Sequence, residues 1–414
     1  MTGLSIAMIG QRGVPATFGG IEHHVEEIGA RLSQRGHEVT VFCRNNYVKD
    51  GRDEYRGMRL RHLGTVGTKH FDAIAHSAVS TLSAMRDSFD VIHYHALGPG
   101  LVSFAPRLGS RAKIVQTIHG LDYNRAKWGA VARTVLKAAG WMSGHVPDAT
   151  ITVSRSLANH YAARYGCRAT YIPNGAAPLS NGSSNGQVTD AMGLQKGRYL
   201  LFVGRLVPEK RPDLLVRAFR RIPGDVRLVL AGGDSFTSTY VRSITSLARS
   251  DERVVLPGYV YGLALEALYM NAAAFILPSS LEGLPLTLLE AIACGTPVVV
   301  SDIAPHREIV TDDGPGHHVV PSGNEDALSG VLTSVLQHAK AEREGAAALR
   351  EEVLHTYNWE RAVDATEGVY LQVLGRRRHS PAHFLPTSMR AGANVPALKR
   401  NRSERARPWR SRTR

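Results

Sequence analysis

The stretch SLEGLPLTLLEAIACGTPVVVS, residues 280–301, decides how this chain folds. The preceding ILPS (276–279) predicts a short buried strand, and GLPLTLLEAIACG predicts a helix that begins near Pro285 and ends at Gly295. Glu282 then falls in the loop where strand feeds helix, and Glu290 lies about two turns further on. In a parallel α/β sheet such a loop opens onto the crevice at the carboxyl ends of the strands, where ligands bind. Taken alone, the pair is equally well a helix-start carboxylate favoured by the dipole and a solvated helix residue.

A second stretch upstream asks for the same ligand. In LLFVGRLVPEKRPDLLVRAF (200–219), the apolar run Tyr199–Val203 predicts a buried strand and Gly204 turns the chain. Arg205 and Lys210 follow on the loop, and a helix starts near Pro212, whose fixed φ suits a first turn. Two cations beside a helix N-terminus form a site for a diphosphate: arginine binds oxygens in pairs, lysine acts as a point charge, and the amides add their dipole. Lys and Arg are also ordinary surface residues, so a solvated basic loop is the competing reading.

The opening residues repeat the pattern. LSIAMIG predicts a strand, QRGVPATFGG a glycine-rich loop, IEHHVEEIGARLSQRG an amphipathic helix ending at Gly36, and HEVTVFC a second strand. Gly10, Gly13, Gly19 and Gly20 lack the spacing of the dinucleotide fingerprint. Gly19 and Gly20 stand immediately before the helix, where a missing side chain lets backbone amides approach a phosphate or a sugar.

GRLVPEK and EGLPLTLLE, with the N-terminal Gly-Gly and the His-Gly at 119–120, resemble the retaining nucleotide-sugar glycosyltransferases of family 4 over roughly residues 4–374. The resemblance implies the GT-B fold: α/β, two doubly wound Rossmann-like domains facing a central cleft. It implies that Arg205 and Lys210 hold the donor diphosphate, Glu282 binds hydroxyls of the transferred sugar and Glu290 binds the ribose. Gly19 and Gly20 would face the diphosphate across the cleft, with Gly283, Leu284, Pro285 and Leu286 lining the donor. Tyr259 and Val260, in LPGYVYG (256–262), would lie near the base. Arg12, Phe18 and His23, with the loop 64–70, would serve the acceptor. The stretch GQRGVPATFGGIEHHVEEIGARL is also similar to a subgroup containing rhamnosyltransferases of surface polysaccharides.

KIVQTIHG predicts a strand that delivers His119 to its carboxyl end. Family members carry a sugar-contacting histidine here, so the resemblance makes His119 catalytic together with Arg205, Lys210 and Glu282. His93 and His95, in DVIHYHALGPG, end another strand. Two histidines two apart share one strand face, but no third ligand lies nearby in the sequence, so no metal site is expected. No Asp-x-Asp occurs, which removes the usual carboxylate clamp for a metal-bound sugar nucleotide. The expected enzyme needs no metal and no cofactor, only a nucleoside-diphosphate-sugar donor and a glycan or polyprenyl-linked acceptor.

At 414 residues the chain suffices for two cores of ordinary domain size. The expected divisions are an acceptor-side domain at 1–180, a Gly/Ser/Asn-rich linker at 181–197 and a nucleotide-sugar domain at 198–358. A helix at 359–374 should pack back on the first domain, and a tail at 375–414 should be disordered. That tail carries twelve Lys/Arg against one Glu, +11 of the formal +14, which leaves +3 for residues 1–374. It suits peripheral contact with an anionic membrane, nonspecific nucleic-acid binding or no function at all. Specific nucleic-acid binding is disfavoured because the charge is not on a folded face. A sugar-nucleotide epimerase remains the rival within the fold. The absence of a charged leader, of an apolar run near 20 residues and of paired cysteine spacing among Cys43, Cys167 and Cys294 predicts a cytoplasmic protein.

Overall fold

Ser5–Ile9 forms the first strand because four of its five side chains are buried, as a strand covered on both faces requires. The structure, a computed structural model, describes residues 3–17, 19–47, 51–64, 72–125, 128–176, 189, 192–233 and 238–376. Phe18, the 65–70 loop, most of the linker and the tail beyond Arg376 lie outside the described residues.

The first sheet has eight strands: β1 (Ser5–Ile9), β2 (Glu38–Arg44), β3 (Glu54–Tyr55), β4 (Met58–Leu63), β5 (Val91–His95), β6 (Lys113–Ile118), β7 (Ala149–Thr152) and β8 (Thr170–Tyr171). Their order is β3-β4-β2-β1-β5-β6-β7-β8, parallel throughout except for the β3–β4 hairpin. The second sheet is wholly parallel. It consists of β9 (Tyr199–Val203), β10 (Arg227–Ala231), β11 (Val254–Gly258), β12 (Ala274–Leu277), β13 (Val298–Ser301) and β14 (His317–Val320), in the order β11-β10-β9-β12-β13-β14. In both sheets the order reverses beside the first strand, between β1 and β5 and between β9 and β12. A doubly wound sheet opens its ligand crevice at such a point.

Five helices position the site: α1 (Gly20–Gln34), α2 (Arg155–Tyr165), α3 (Pro212–Arg220), α4 (Leu286–Ala293) and α5 (Trp359–Val373). In α3, Leu214, Leu215, Val216, Ala218 and Phe219 are buried, whereas Asp213 and Arg217 pair one turn apart on the other face. The strand expected at 276–279 ends earlier, at Leu277. Pro278 has no N–H to continue the ladder, and Ala274 takes the first pairing position, opposite Leu200.

The chain crosses between the sheets twice, and the crossings touch. Ala176 N–H donates to the Tyr357 carbonyl at 2.9 Å, and Gly175 lies so close to Trp359 that any side chain there would collide with its backbone. Beyond the crossing, α5 lies along α1. Arg31 of α1 and Arg35, its C-cap, pair with Glu360, and Arg35 also pairs with Asp364 and Glu367. Tyr370 reaches beneath the first sheet to His93, 2.6 Å from Nδ1. A second tie joins the halves: Glu308 accepts the first backbone N–H groups of α2, from Arg155 and Ser156, each at 2.7 Å. A carboxylate at a helix N-terminus satisfies orphan donors and meets the positive end of the dipole. Among the described residues no helix is long and apolar enough to cross a membrane.

Candidate active site

The carboxyl ends of the two sheets face one another, and the loops leaving them meet. Gly283, one residue after Glu282, packs directly on the His119 carbonyl and on Gly120. Gly20, the first residue of α1, lies against Leu286, the first residue of α4. The cleft is therefore closed around the residues that the two halves contribute.

On the second sheet, Gly204 turns the chain out of β9 with φ of 157°, and the Lys210 side chain folds back beside it. Lys210 Nζ donates to Glu282 Oε1 at 2.7 Å, and Ser279 Oγ donates to the same oxygen at 2.8 Å. Burial alone would raise the Glu282 pKa, but Lys210, His306 and the two hydrogen bonds together hold it below the ordinary carboxylate value. Lysine carries three donors, so this pair leaves two for a ligand. Beneath it His306 is fully buried, its Nδ1 held by the Ser301 carbonyl at 2.8 Å, and burial pushes its pKa down to about 4.

At Arg205 the charges of the two halves converge. Its guanidinium pKa is lowered, first by burial, then by Arg125, with Arg12 adding to the effect and Glu209 and Glu282 opposing it. Arg12 and Arg125 come from the first sheet, Arg205 and Lys210 from the second. Like charges gathered in a partly enclosed cleft favour an anion with several oxygens. Arg125 was not anticipated from the sequence. The available signal was its place six residues after His119, on the loop leaving the same strand.

Other expected residues fall as follows. Glu290, on α4, accepts a hydrogen bond from the Tyr269 hydroxyl at 3.1 Å and stays partly exposed. Gly283, Leu284, Pro285 and Leu286 are buried in the turn that opens α4, with Pro285 as its N-cap. Tyr259 packs on Gly233 and stacks on Tyr261, with ring centroids 6.0 Å apart, and Val260 between them packs on the core. Arg12 N–H donates to Glu22 Oε1 at 3.0 Å. The other Glu22 oxygen occupies the space a side chain would take at Gly19, so Gly19 makes room for the chain's own carboxylate. His23 lies edge-on to Trp359, with centroids 5.9 Å apart, at the junction with α5.

His119 does not stand alone. Its Nε2 is 3.3 Å from His95 Nδ1, and its ring packs edge-on to His24 at 4.6 Å between centroids. His24 Nδ1 is 2.8 Å from Asn174 Oδ1. His93 lies tilted against His95, with ring centroids 4.2 Å apart and both nitrogens engaged, one by Tyr370 and the other by Thr117 Oγ1 at 2.7 Å. Burial lowers the pKa of all four, to about 4 for His24, about 3 for His93 and well below the ordinary value for His95 and His119. The cluster is neutral at neutral pH. From the strand spacing alone His95 had no third neighbour; the fold supplies His24 from α1 and His119 from the adjacent strand.

Two parallel sheets facing a cleft, with cations from both halves and a carboxylate at the switch point, define a GT-B enzyme. Residues 18–178 match the model of Glycosyltransferase Family 4 and residues 191–351 that of Glycosyl transferases group 1. An uncharacterized glycosyltransferase of Methanocaldococcus jannaschii is 27% identical over 395 residues, covering 90% of this chain and the whole of that protein. Sucrose-phosphate synthase from Thermosynechococcus elongatus has the same fold, with a TM-score of 0.76 at 22% identity, covering 90% of this chain and 99% of that one. Anabaena HepE in complex with UDP-glucose also superimposes, with a TM-score of 0.74 at 15% identity, covering 89% of this chain and all of that one. The chain belongs to glycosyltransferase family 4 and is a glycosyltransferase.

Proposed function

We propose that this enzyme moves a hexose or deoxyhexose from a nucleoside-diphosphate sugar to a glycan or polyprenyl-linked acceptor in cell-surface polysaccharide synthesis, with retention at the anomeric carbon and no metal at the diphosphate. The observation that carries the reading is the meeting of Arg12, Arg125, Arg205 and Lys210 beside Glu282 in one cleft. The UDP-glucose held by the structurally similar Anabaena protein supports a nucleotide-sugar donor.

In this reading Arg205 and Lys210 take the diphosphate, Glu290 accepts from the ribose hydroxyls, and the open Glu282 oxygen accepts from a sugar hydroxyl. His119, Gly20 and the turn after Glu282 enclose the transferred sugar. The bond from C1 to the leaving phosphate oxygen breaks with its electron pair remaining on that oxygen. The acceptor oxygen bonds to C1 from the same face and gives its proton to the departing phosphate. Negative charge grows on the diphosphate as it leaves, where fixed cations act most strongly; removing one such contact costs about 3 kcal/mol in the barrier, roughly a hundredfold in rate.

The first experiment is thermal stabilisation of the protein by UDP, GDP, dTDP and ADP without added metal. A shift with one of them, lost in Arg205→Ala and Lys210→Ala, supports the donor site and names its base. No shift with any of the four overturns it. The net +11 of residues 375–414 suits peripheral contact with the cytoplasmic face of an anionic membrane. Liposome flotation with and without residues 376–414 tests this, and equal binding removes the role.

A further inference from the structure

The histidines around His119 form a second chemical site beside the sugar pocket. One nitrogen from each of His24, His95 and His119 lies within 4.8 Å of the other two. Zinc binds imidazole nitrogen at about 2.0–2.1 Å, so two nitrogens of a tetrahedral site stand about 3.3–3.4 Å apart. His95 Nδ1 and His119 Nε2 already stand 3.3 Å apart. An amide oxygen faces His24 Nδ1, so that nitrogen carries the proton and Nε2 keeps its lone pair. A ligating imidazole is typically held in this way, by an acceptor on its far nitrogen that fixes ring and tautomer. His95 is held by packing rather than by an acceptor: His93 lies against its ring, and among the described residues its far nitrogen, Nε2, has no hydrogen-bond partner.

We propose that His24, His95 and His119 form a three-histidine site for a divalent transition metal, zinc above all, and that the bound metal switches the transferase off. The ligands are three neutral imidazoles, a set that suits zinc and leaves a fourth position for water. His119 is the most exposed of the three and opens to the cleft, which gives the ion a way in. Gly283 closes directly over the His119 carbonyl, so entry requires the open cleft. The site differs from the carboxylate-clamped metal of other sugar-nucleotide enzymes: it holds no phosphate and takes up the imidazole that the sugar needs. The inhibition rests on the donor-site reading given above; the binding does not.

The test uses the full chain, stripped of metal and titrated with ZnCl2 by calorimetry and with CoCl2 by visible absorption. Wild type should take up one zinc ion per chain, and cobalt should give the intense bands of a four-coordinate site. His24→Gln and His95→Gln should each weaken zinc binding about 100-fold or more. His317→Gln, on a histidine outside the cluster, should bind as wild type does. Asn174→Ala, which frees the far nitrogen of His24, should weaken binding by about 10–100-fold. Zinc should slow transfer in wild type and have no effect in a folded His24→Gln protein that retains turnover. Uptake that is equal in wild type and both ligand variants, or a cobalt spectrum like that of the hydrated ion, overturns the site. If the variants fail to fold, the wild-type cobalt spectrum decides alone. Zinc uptake without inhibition overturns the switch and retains the site, whereas failure of the nucleotide screen leaves the metal titration intact.

Discussion

Gly283→Ala is the sharpest probe of the closed cleft. Gly283 does not have a positive φ, so alanine imposes no backbone strain on its own loop. The added carbon would fall 1.8 Å from the His119 carbonyl oxygen and 2.8 Å from the carbonyl carbon. Ordinary contact begins beyond 3 Å, so the loops carrying His119 and Glu282 must separate by about 1.2–1.6 Å. Displacing a reacting group by about 1 Å costs on the order of a hundredfold in rate, or about 2.7 kcal/mol. The clash lies between halves rather than within either, so the unliganded protein should melt close to wild type with the cleft slightly open. Nucleoside diphosphate held mainly by Arg205, Lys210 and Glu290 should bind within about threefold of wild type, since 0.6 kcal/mol is the whole of that change. Steady-state transfer kinetics, calorimetric nucleotide titration and a thermal melt together separate the effects. A turnover number within threefold of wild type would refute the claim that chemistry needs this contact. A large loss of nucleotide affinity would show that the turn shapes the donor pocket itself.

Three further outcomes are expected. Arg125→Ala should lower kcat/KM by about 30–100-fold through the lost cation, yet change the stability of the unliganded protein by less than about 1 kcal/mol, because losing the ion pair with Asp122 at 2.9 Å is offset by removing a like charge from beside Arg205; transfer kinetics and a melt on the same preparation check both. Glu308→Ala should cost about 1–2 kcal/mol in urea unfolding, because two N–H groups at the start of α2 lose their acceptor; an unchanged midpoint would mean that water replaces the carboxylate at no cost. The folded pKa of Glu282 lies below its ordinary value of 4.5, so its contribution to stability is present above that value and is lost as pH falls through the folded value. Glu282→Gln should therefore flatten the acid limb of the stability curve below pH 4.5, as followed by denaturant unfolding across pH.

The elements that read most clearly in the sequence were those whose burial is two-sided. Tyr199–Val203 is a continuous apolar run because β9 is buried on both faces, and its carboxyl end follows from Gly204. Pro285 and Gly295 bracket α4 for equally local reasons, a fixed φ at one end and a left-handed residue at the other. The second-sheet half of the site was legible because Arg205, Lys210, Glu282 and Glu290 all follow strands at positions fixed by such punctuation. Arg125 was not, since a cation on an irregular loop has no period to betray it. Nor was the histidine cluster: His24 faces inward only because α1 turns that side to the first sheet, and no local rule connects it to His95 or His119. Gly19 was legible as a glycine whose missing side chain opens space before the helix, but the sequence pointed to a phosphate or sugar there, and the structure fills the space with the Glu22 carboxylate.

The return of α5 to α1 also governs the order in which the protein is made. Until Trp359–Val373 has left the ribosome, Arg31 has only Glu27 of its own helix to pair with, Arg35 lacks Glu360, Asp364 and Glu367, and His93 Nδ1 has no hydroxyl to meet. The first half, although synthesised first, must wait for the second to be completed before its own surface is sealed. A chain cut anywhere between the two halves would expose the same unfinished face, so the pair is expected to mature as one cooperative unit.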